Sequence, residues 1–265
     1  MNLINCEIST GVATITLQRE AVRNALSSRM LVELHDVLDR LQRKGSGVRA
    51  LVLTGAGSSF CSGIDLHSID LSTPEARQKA HFTIRTRMDP LISRLSEYHH
   101  PIVTALNGPA VGAGMSLAVA TDIILASESA YFSASFIKMG LIPDAGIIYH
   151  LARRVGGGRS LTTLMLSETI SSTKALEWGL LHDVVASEHL LERAVDVARE
   201  LARGPTHAIR SLRVLHGSAF TTTIRDYLPK EKLFQLDAVG NGECVEGVRA
   251  FFEKRNPVFQ ADIVE

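Results

Sequence analysis

Residues 101–126 read PIVTALNGPAVGAGMSLAVATDIILA, and their order decides the fold. Pro101 to Leu106 is a short apolar run of strand length, with its proline at the first position, where a strand tolerates one. Asn107-Gly108-Pro109-Ala110-Val111-Gly112-Ala113-Gly114 follows as a glycine-bearing turn, and from about Gly114 to Ala120 the chain reads as an apolar helix. Asp122 to Ala126 (DIILA) then returns as another buried strand. Strand, turn, helix and strand in this order predict parallel pairing with a crossover helix.

The flanks extend the pattern. Ala50 to Thr54 (ALVLT) is a further buried strand, and Gly55 opens a loop rich in Gly and Ser. At the start, Ile4, Cys6 and Ile8 alternate with polar residues. Val12 to Leu17 alternates again after Gly11, which predicts a hairpin. Met30, Leu31, Leu34, Val37, Leu38 and Leu41 recur at helical spacing between Ser27 and Gln42. Residues 74–98 predict a longer helix interrupted by Pro90. Beyond Gly158 the chain reads as helical, over 159–167, 173–178, 188–202, 206–215, 221–238 and 243–254. The class is therefore α/β, with a core over 1–200 and a helical C-terminal region over 201–265.

A chain of 265 residues can bury one sizeable core. Its 28 Lys and Arg balance 28 Asp and Glu, so net charge supports binding to neither nucleic acid nor an anionic membrane. Cys6, Cys61 and Cys244 are far apart and odd in number, with neither a disulfide framework nor metal-ligand spacing, which fits a reducing compartment. MNLINCEIST lacks the charged and apolar regions of a signal peptide. No apolar run nears the roughly 18 residues of a membrane span. The closing Asp262, Ile263, Val264 and Glu265 form no peroxisomal or retention signal. A cytoplasmic protein without a metal is expected.

A second glycine turn, Phe60-Cys61-Ser62-Gly63-Ile64-Asp65-Leu66, follows the ALVLT strand. Turns of this kind expose backbone N–H groups to a negative oxygen, although the glycines also serve plain tight turns and close packing. No Lys-Ser or Lys-Thr of a phosphate loop follows either turn, and neither is a dinucleotide fingerprint. Together and in this order the two turns resemble the crotonase (enoyl-CoA hydratase/isomerase) family. The likeness runs from Arg23-Asn24-Ala25-Leu26 to Phe251-Phe252-Glu253-Lys254-Arg255. It implies a stacked ββα superhelix core with a helical C-terminal trimerisation region. It further implies that the N–H groups of Ile64 and Ala113 hold a thioester enolate. Coenzyme A would be part of the acyl-CoA substrate, not a permanently bound cofactor. Arg23, Ala25, Cys61, Asp65 and Leu66 would line it, and Phe251 and Lys254 would reach a neighbouring subunit's nucleotide in a homotrimer or dimer of trimers. Without the resemblance, Phe251 is a core residue and Lys254 a solvated charge.

Hydratases of that family use two glutamates, and this chain has Ser116 and Phe136 in their places. It offers instead Gly140-Leu141-Ile142-Pro143-Asp144-Ala145-Gly146. Asp144 reads either as a helix N-cap or, by likeness to the ring-1,2-epoxyphenylacetyl-CoA isomerase branch, as a single catalytic base. That likeness makes an acyl-CoA isomerase the expected activity, with a single-acid hydratase or a catalytically silent CoA-binding homologue as alternatives. A dehalogenase is disfavoured, because Phe136 and Asp89 stand where its tryptophan and histidine belong. Phe82, Met88, Phe136, Ile137 and Leu141 are candidates for the acyl pocket or for core packing. Ile147 and Ile148 add bulk where the family usually has small or polar residues. His99 and His100 are expected at the surface, and Gly156 to Gly158 at a helix end.

Overall fold

Strand β1 (Ile4–Ser9) turns through Thr10 and Gly11 into β2 (Val12–Leu17). Both turn residues have positive φ, 48° and 80°, the geometry that matches the twist of a two-residue hairpin. The pair is antiparallel, with Ile4 opposite Leu17 and Ser9 opposite Val12. Helix α1 (Ser28–Leu41) starts where the Ser27 side chain accepts a hydrogen bond from the Met30 N–H, and it buries the apolar stripe from Met30 to Leu41. Strand β3 (Ala50–Gly55) is buried throughout and pairs parallel to β2. The computed structural model describes residues 2–259, so Asp262 to Glu265 lie outside the described residues.

Helix α2 (Pro74–Ser96) continues past Pro90 without a break, contrary to the expected interruption. The proline ring removes one hydrogen bond and costs about 3 kcal/mol. Around it Met88, Leu91, Ile92 and Leu95 are buried, at about 1.5–3 kcal/mol each, so packing outweighs the local penalty. Tyr98 and His100 follow in the interior, which corrects the surface assignment of His100.

Strand β4 (Ile102–Leu106) is parallel to β3. A two-residue strand, β5 (Ala110–Val111), precedes α3 (Ala113–Val119), every residue of which is buried. Strand β6 (Ile123–Ser127) returns parallel to β4, as the opening stretch predicts. Next come β7 (Tyr131–Ser133), α4 (Ile147–Val155), α5 (Gly157–Leu166), β8 (Thr169–Ser171), α6 (Ser172–Glu177), β9 (Asp183–Val185) and α7 (Leu190–Arg203). Gly156, with φ 85°, separates α4 from α5, a helix end as expected. The main sheet has the order β1-β2-β3-β4-β6-β9, and a second sheet joins β5, β7 and β8. The second sheet escaped sequence reading because strands of two or three residues are too short to display a period.

The main sheet is covered on both faces. Ala194, Val197, Ala198 and Ala202 of α7 pack on Val12, Val52, Val103 and Leu125. A larger core containing Ile15, Leu53, Leu38, Leu91 and Met115 fills the other side. Helices α8 (Thr206–Ala219), α9 (Ile224–Gly240) and α10 (Glu243–Glu253) bury almost nothing, only Ser211 and Ala250. Polar ties fasten them instead. Arg213 Nε donates to Asp122 at 2.7 Å, and Arg49 donates to Thr206 Oγ1 and the Gly204 carbonyl at 2.7 and 2.8 Å. Leu233, Leu236, Phe251 and Phe252 stay exposed. No helix among the described residues is long and apolar enough to cross a membrane.

Candidate active site

The two glycine turns lie against each other as though stitched. The N–H groups of Phe60 and Cys61 donate to the Pro109 carbonyl at 3.2 and 3.1 Å, and Val111 N–H donates back to the Cys61 carbonyl at 2.9 Å. They also approach closely at Gly63. Its φ is +92°, and a Cβ built there would sit 2.8 Å from the Val111 carbonyl oxygen and 3.5 Å from the Ala113 nitrogen. Gly63 thus sets the segment that carries Ile64 against the start of α3, where Ala113 stands. Neither N–H has an acceptor among the described residues. Ala113 is the first residue of α3, where intrahelical bonding cannot begin. Phe136 closes one side, its ring edge 3.7 Å from a Cβ built on Gly112.

A polar frame behind the turns holds this geometry. Asn24 is fully buried and has φ 56°, a conformation asparagine tolerates better than most residues. Its Oδ1 accepts from Arg19 N–H, while its Nδ2 donates to the carbonyls of Ala56 and Ser59 at 2.9 and 2.8 Å. From the other side, Asn107 donates to the Gly57 carbonyl at 2.8 Å. Asn24→Ala removes three hydrogen bonds of about 1 kcal/mol each. We expect about 3 kcal/mol of destabilisation, measured by urea unfolding.

The residues expected around coenzyme A assemble at the edge of the first turn. Leu26 N–H donates to the Gly63 carbonyl at 2.7 Å and Asp65 N–H to the Leu26 carbonyl at 3.0 Å, which joins the segment of Arg23 and Ala25 to that of Ile64 and Leu66. Arg23 and Leu66 are exposed, whereas Ala25 and Cys61 are buried. Ala25 N–H is spent on the Val22 carbonyl and Cys61 N–H on Pro109, so neither is available to a ligand. Burial pushes the Cys61 thiol up to about 12, and the thiol donates to the Asn24 carbonyl; it is a packing group. Arg19 was missed by sequence reading. Its guanidinium holds both the Ala25 carbonyl and, at 3.0 Å, the Asp65 carboxylate.

Phe251 and Lys254 make no hydrogen bond or ion pair to these residues among the described residues. Phe251 is 77% exposed, so the reading of it as a core residue fails. Of the acyl-pocket candidates, Met88 and Phe136 are buried, whereas Phe82, Ile137 and Leu141 are exposed, with Met139 and Ile142 exposed beside them in sequence. Ile147 packs in the core and Ile148 is exposed, so their bulk divides between two environments.

Asp144 is not a side-chain cap, because Gly146 is the N-cap of α4 and no side chain caps the helix. Its backbone is fixed from α3 instead. The buried Ser116 hydroxyl lies 3.4 Å from the Asp144 carbonyl and 3.5 Å from that of Gly112, the residue before the Ala113 amide. The Asp144 carboxylate, about a third exposed, sits 3.2 Å from Arg85 Nη1 and 4.0 Å from His81 Nε2, both on α2. His150, one turn into α4, is held down to about 4 by burial and then by Arg154 and Arg153, so it is neutral at pH 7. No group of three His, Cys, Asp or Glu side chains among the described residues could hold a metal ion.

The enoyl-CoA hydratase/isomerase family model matches residues 7–262. The 1,2-epoxyphenylacetyl-CoA isomerase of Escherichia coli (strain K12) is 35% identical over 259 residues, which cover 98% of each chain. A 4-chlorobenzoyl coenzyme A dehalogenase of Arthrobacter sp is 33% identical over 254 residues, 95% of this chain and 91% of that one. The crystal structure of an enoyl-CoA hydratase from Bacillus anthracis superposes with a TM-score of 0.90 at 30% identity, covering 98% of this chain and all 100% of the other. Relatives with differently named activities thus match this chain over nearly its whole length. The chain belongs to the enoyl-CoA hydratase/isomerase, or crotonase, family and is an enzyme of its isomerase/hydratase type.

Proposed function

We propose that this enzyme isomerises an acyl-CoA by shifting a double bond, or by a related ring-epoxide isomerisation, with Asp144 as its single base. The thioester carbonyl oxygen is received by the N–H groups of Ile64 and Ala113. Asp144 takes a proton from the carbon skeleton, the electron pair delocalises onto that oxygen as an enolate, and Asp144 returns the proton to a different carbon. An oxyanion donor of this type lowers a transition state by about 2.7–4 kcal/mol. The acceptor-free state of both amides supports their assignment.

One observation carries the choice of base: Ser116 couples the backbone of Asp144 to the residue that precedes the Ala113 amide. Ser116 and Phe136 cannot supply the carboxylate pair that a water-adding enzyme of this family uses. Arg23, Ala25, Cys61, Asp65 and Leu66 border the coenzyme A, with Arg23 and Leu66 offering exposed side chains and Asp65 steadying the loop through Arg19. Phe251 and Lys254 serve the nucleotide of a neighbouring copy in a trimer or dimer of trimers. The exposed apolar faces of α9 and α10 are consistent with such assembly. Phe82, Met88, Phe136, Ile137 and Leu141 surround the acyl chain, in a cytoplasmic enzyme.

The test is incubation with a 3-enoyl-CoA in deuterated water. A 2-enoyl-CoA product carrying deuterium is expected. Formation of a 3-hydroxyacyl-CoA from a 2-enoyl-CoA would identify a single-acid hydratase, and CoA binding with neither product would identify a silent homologue.

A further inference from the structure

We propose that Arg85 is a positioning residue for Asp144, itself held by Asp89, so that α2 aims a carboxylate that its own loop leaves unanchored. The inference rests on the proposed role of Asp144 as base.

The loop cannot aim that side chain by itself. Asp144 is followed by Ala145 and Gly146 at φ 51° and 75°, two successive left-handed residues. Its peptide carbonyl is held by Ser116 and by Ile147 N–H at 3.2 Å, but its carboxylate accepts no hydrogen bond among the described residues. The groups facing it come from α2. His81 is distant at 4.0 Å and mostly exposed, so Arg85 is the close one.

Arg85 is not a loose surface cation. Its Nε is 2.8 Å from Asp89 Oδ2 one turn along α2, an ion pair that holds the guanidinium against its own helix. Nη1, on the same fork, then lies 3.2 Å from Asp144 Oδ2. Nη1 is buried and makes no aligned hydrogen bond, so the contact with Asp144 is one of charge. A carboxylate steered by charge but not tied by hydrogen bonds keeps its lone pairs for a substrate proton. Displacement of a reacting group by about 1 Å can cost about 100-fold in rate, and a cation paired on a neighbouring helix opposes such displacement.

The test compares Arg85→Ala, Arg85→Lys and Asp89→Ala with the unmutated enzyme and with Asp144→Asn, measuring kcat and KM separately for the 3-enoyl-CoA. Arg85→Ala should lower kcat about 10- to 100-fold, with KM changed less than about twofold. Arg85→Lys should recover part of that loss, because the charge returns without the fork. Asp89→Ala should lower kcat in the same direction and by less. Crystal structures of the unmutated protein and of Arg85→Ala should show the Asp144 carboxylate in one rotamer and swung away, respectively. An unchanged kcat in Arg85→Ala, a rise in KM alone, or the same Asp144 rotamer in both crystals would each overturn the positioning role while leaving the base intact. Full turnover by Asp144→Asn would instead remove the base, and this inference with it.

Discussion

Asp144→Asn should lower turnover of a 3-enoyl-CoA about 10²- to 10⁴-fold, the usual contribution of a positioned general base, while coenzyme A binds as before. The substitution keeps the size of the side chain and its ability to meet Arg85, but it removes the lone-pair basicity on which proton transfer depends. The backbone that fixes residue 144 is unaffected, because Ser116 and Ile147 contact its carbonyl and not its side chain. The two amides at Ile64 and Ala113 also remain. Calorimetric titration with a non-reactive acyl-CoA should therefore give an affinity within a few-fold of the unmutated value. A variant with normal turnover would mean that the proton moves through another group, and the one-base mechanism would fall.

Gly63→Ala should be as damaging by a different route. At φ +92° any L-residue is strained, and the added methyl would stand 2.8 Å from the Val111 carbonyl oxygen. That oxygen is backbone in the turn laced to Cys61, so it cannot swing aside as a side-chain tip could. The methyl also lies 3.5 Å from the Ala113 nitrogen. Relief of the clash therefore separates the amides of Ile64 and Ala113. Losing one donor costs about 2.7–4 kcal/mol at the transition state, or roughly 10²–10³ in kcat. Kinetics should show this fall in kcat, and thermal unfolding should show a lower Tm in the same variant. Normal kcat in a folded Gly63→Ala protein would show that the amide pair is not the oxyanion site.

The two variants probe different levels of legibility. The two glycine turns were readable locally, because Gly63 and Gly114 sit where main chains approach closely, but the amide pair within them came only from the family resemblance. Asp144 was visible as an acid following a proline, but taken locally it reads first as a helix cap, and the reading of it as a base came from the family resemblance. Only the placement of the α4 N-cap at Gly146 removed the helix-cap alternative. Arg19, Asn24 and Arg85 could not be picked out beforehand. An arginine in a solvated helix and an arginine beside a base carry the same sequence signal, and Arg19 meets Asp65 across 46 residues of chain. Pro90 misled for the mirror reason: a strong local rule was outweighed by burial on both sides of it.

By itself the sequence determined the longer strands and helices, the parallel pairing of β3, β4 and β6, and the two glycine turns. Those features follow from hydrophobic period and backbone freedom, which act over a few neighbouring residues. Tertiary structure alone decided which polar side chains surround the site, because their partners are set by sheet order and helix crossing, distances along the chain over which no local pattern carries information. It alone also left the apolar faces of α9 and α10 exposed, since a periodic stripe records that a face is to be covered and not which surface covers it.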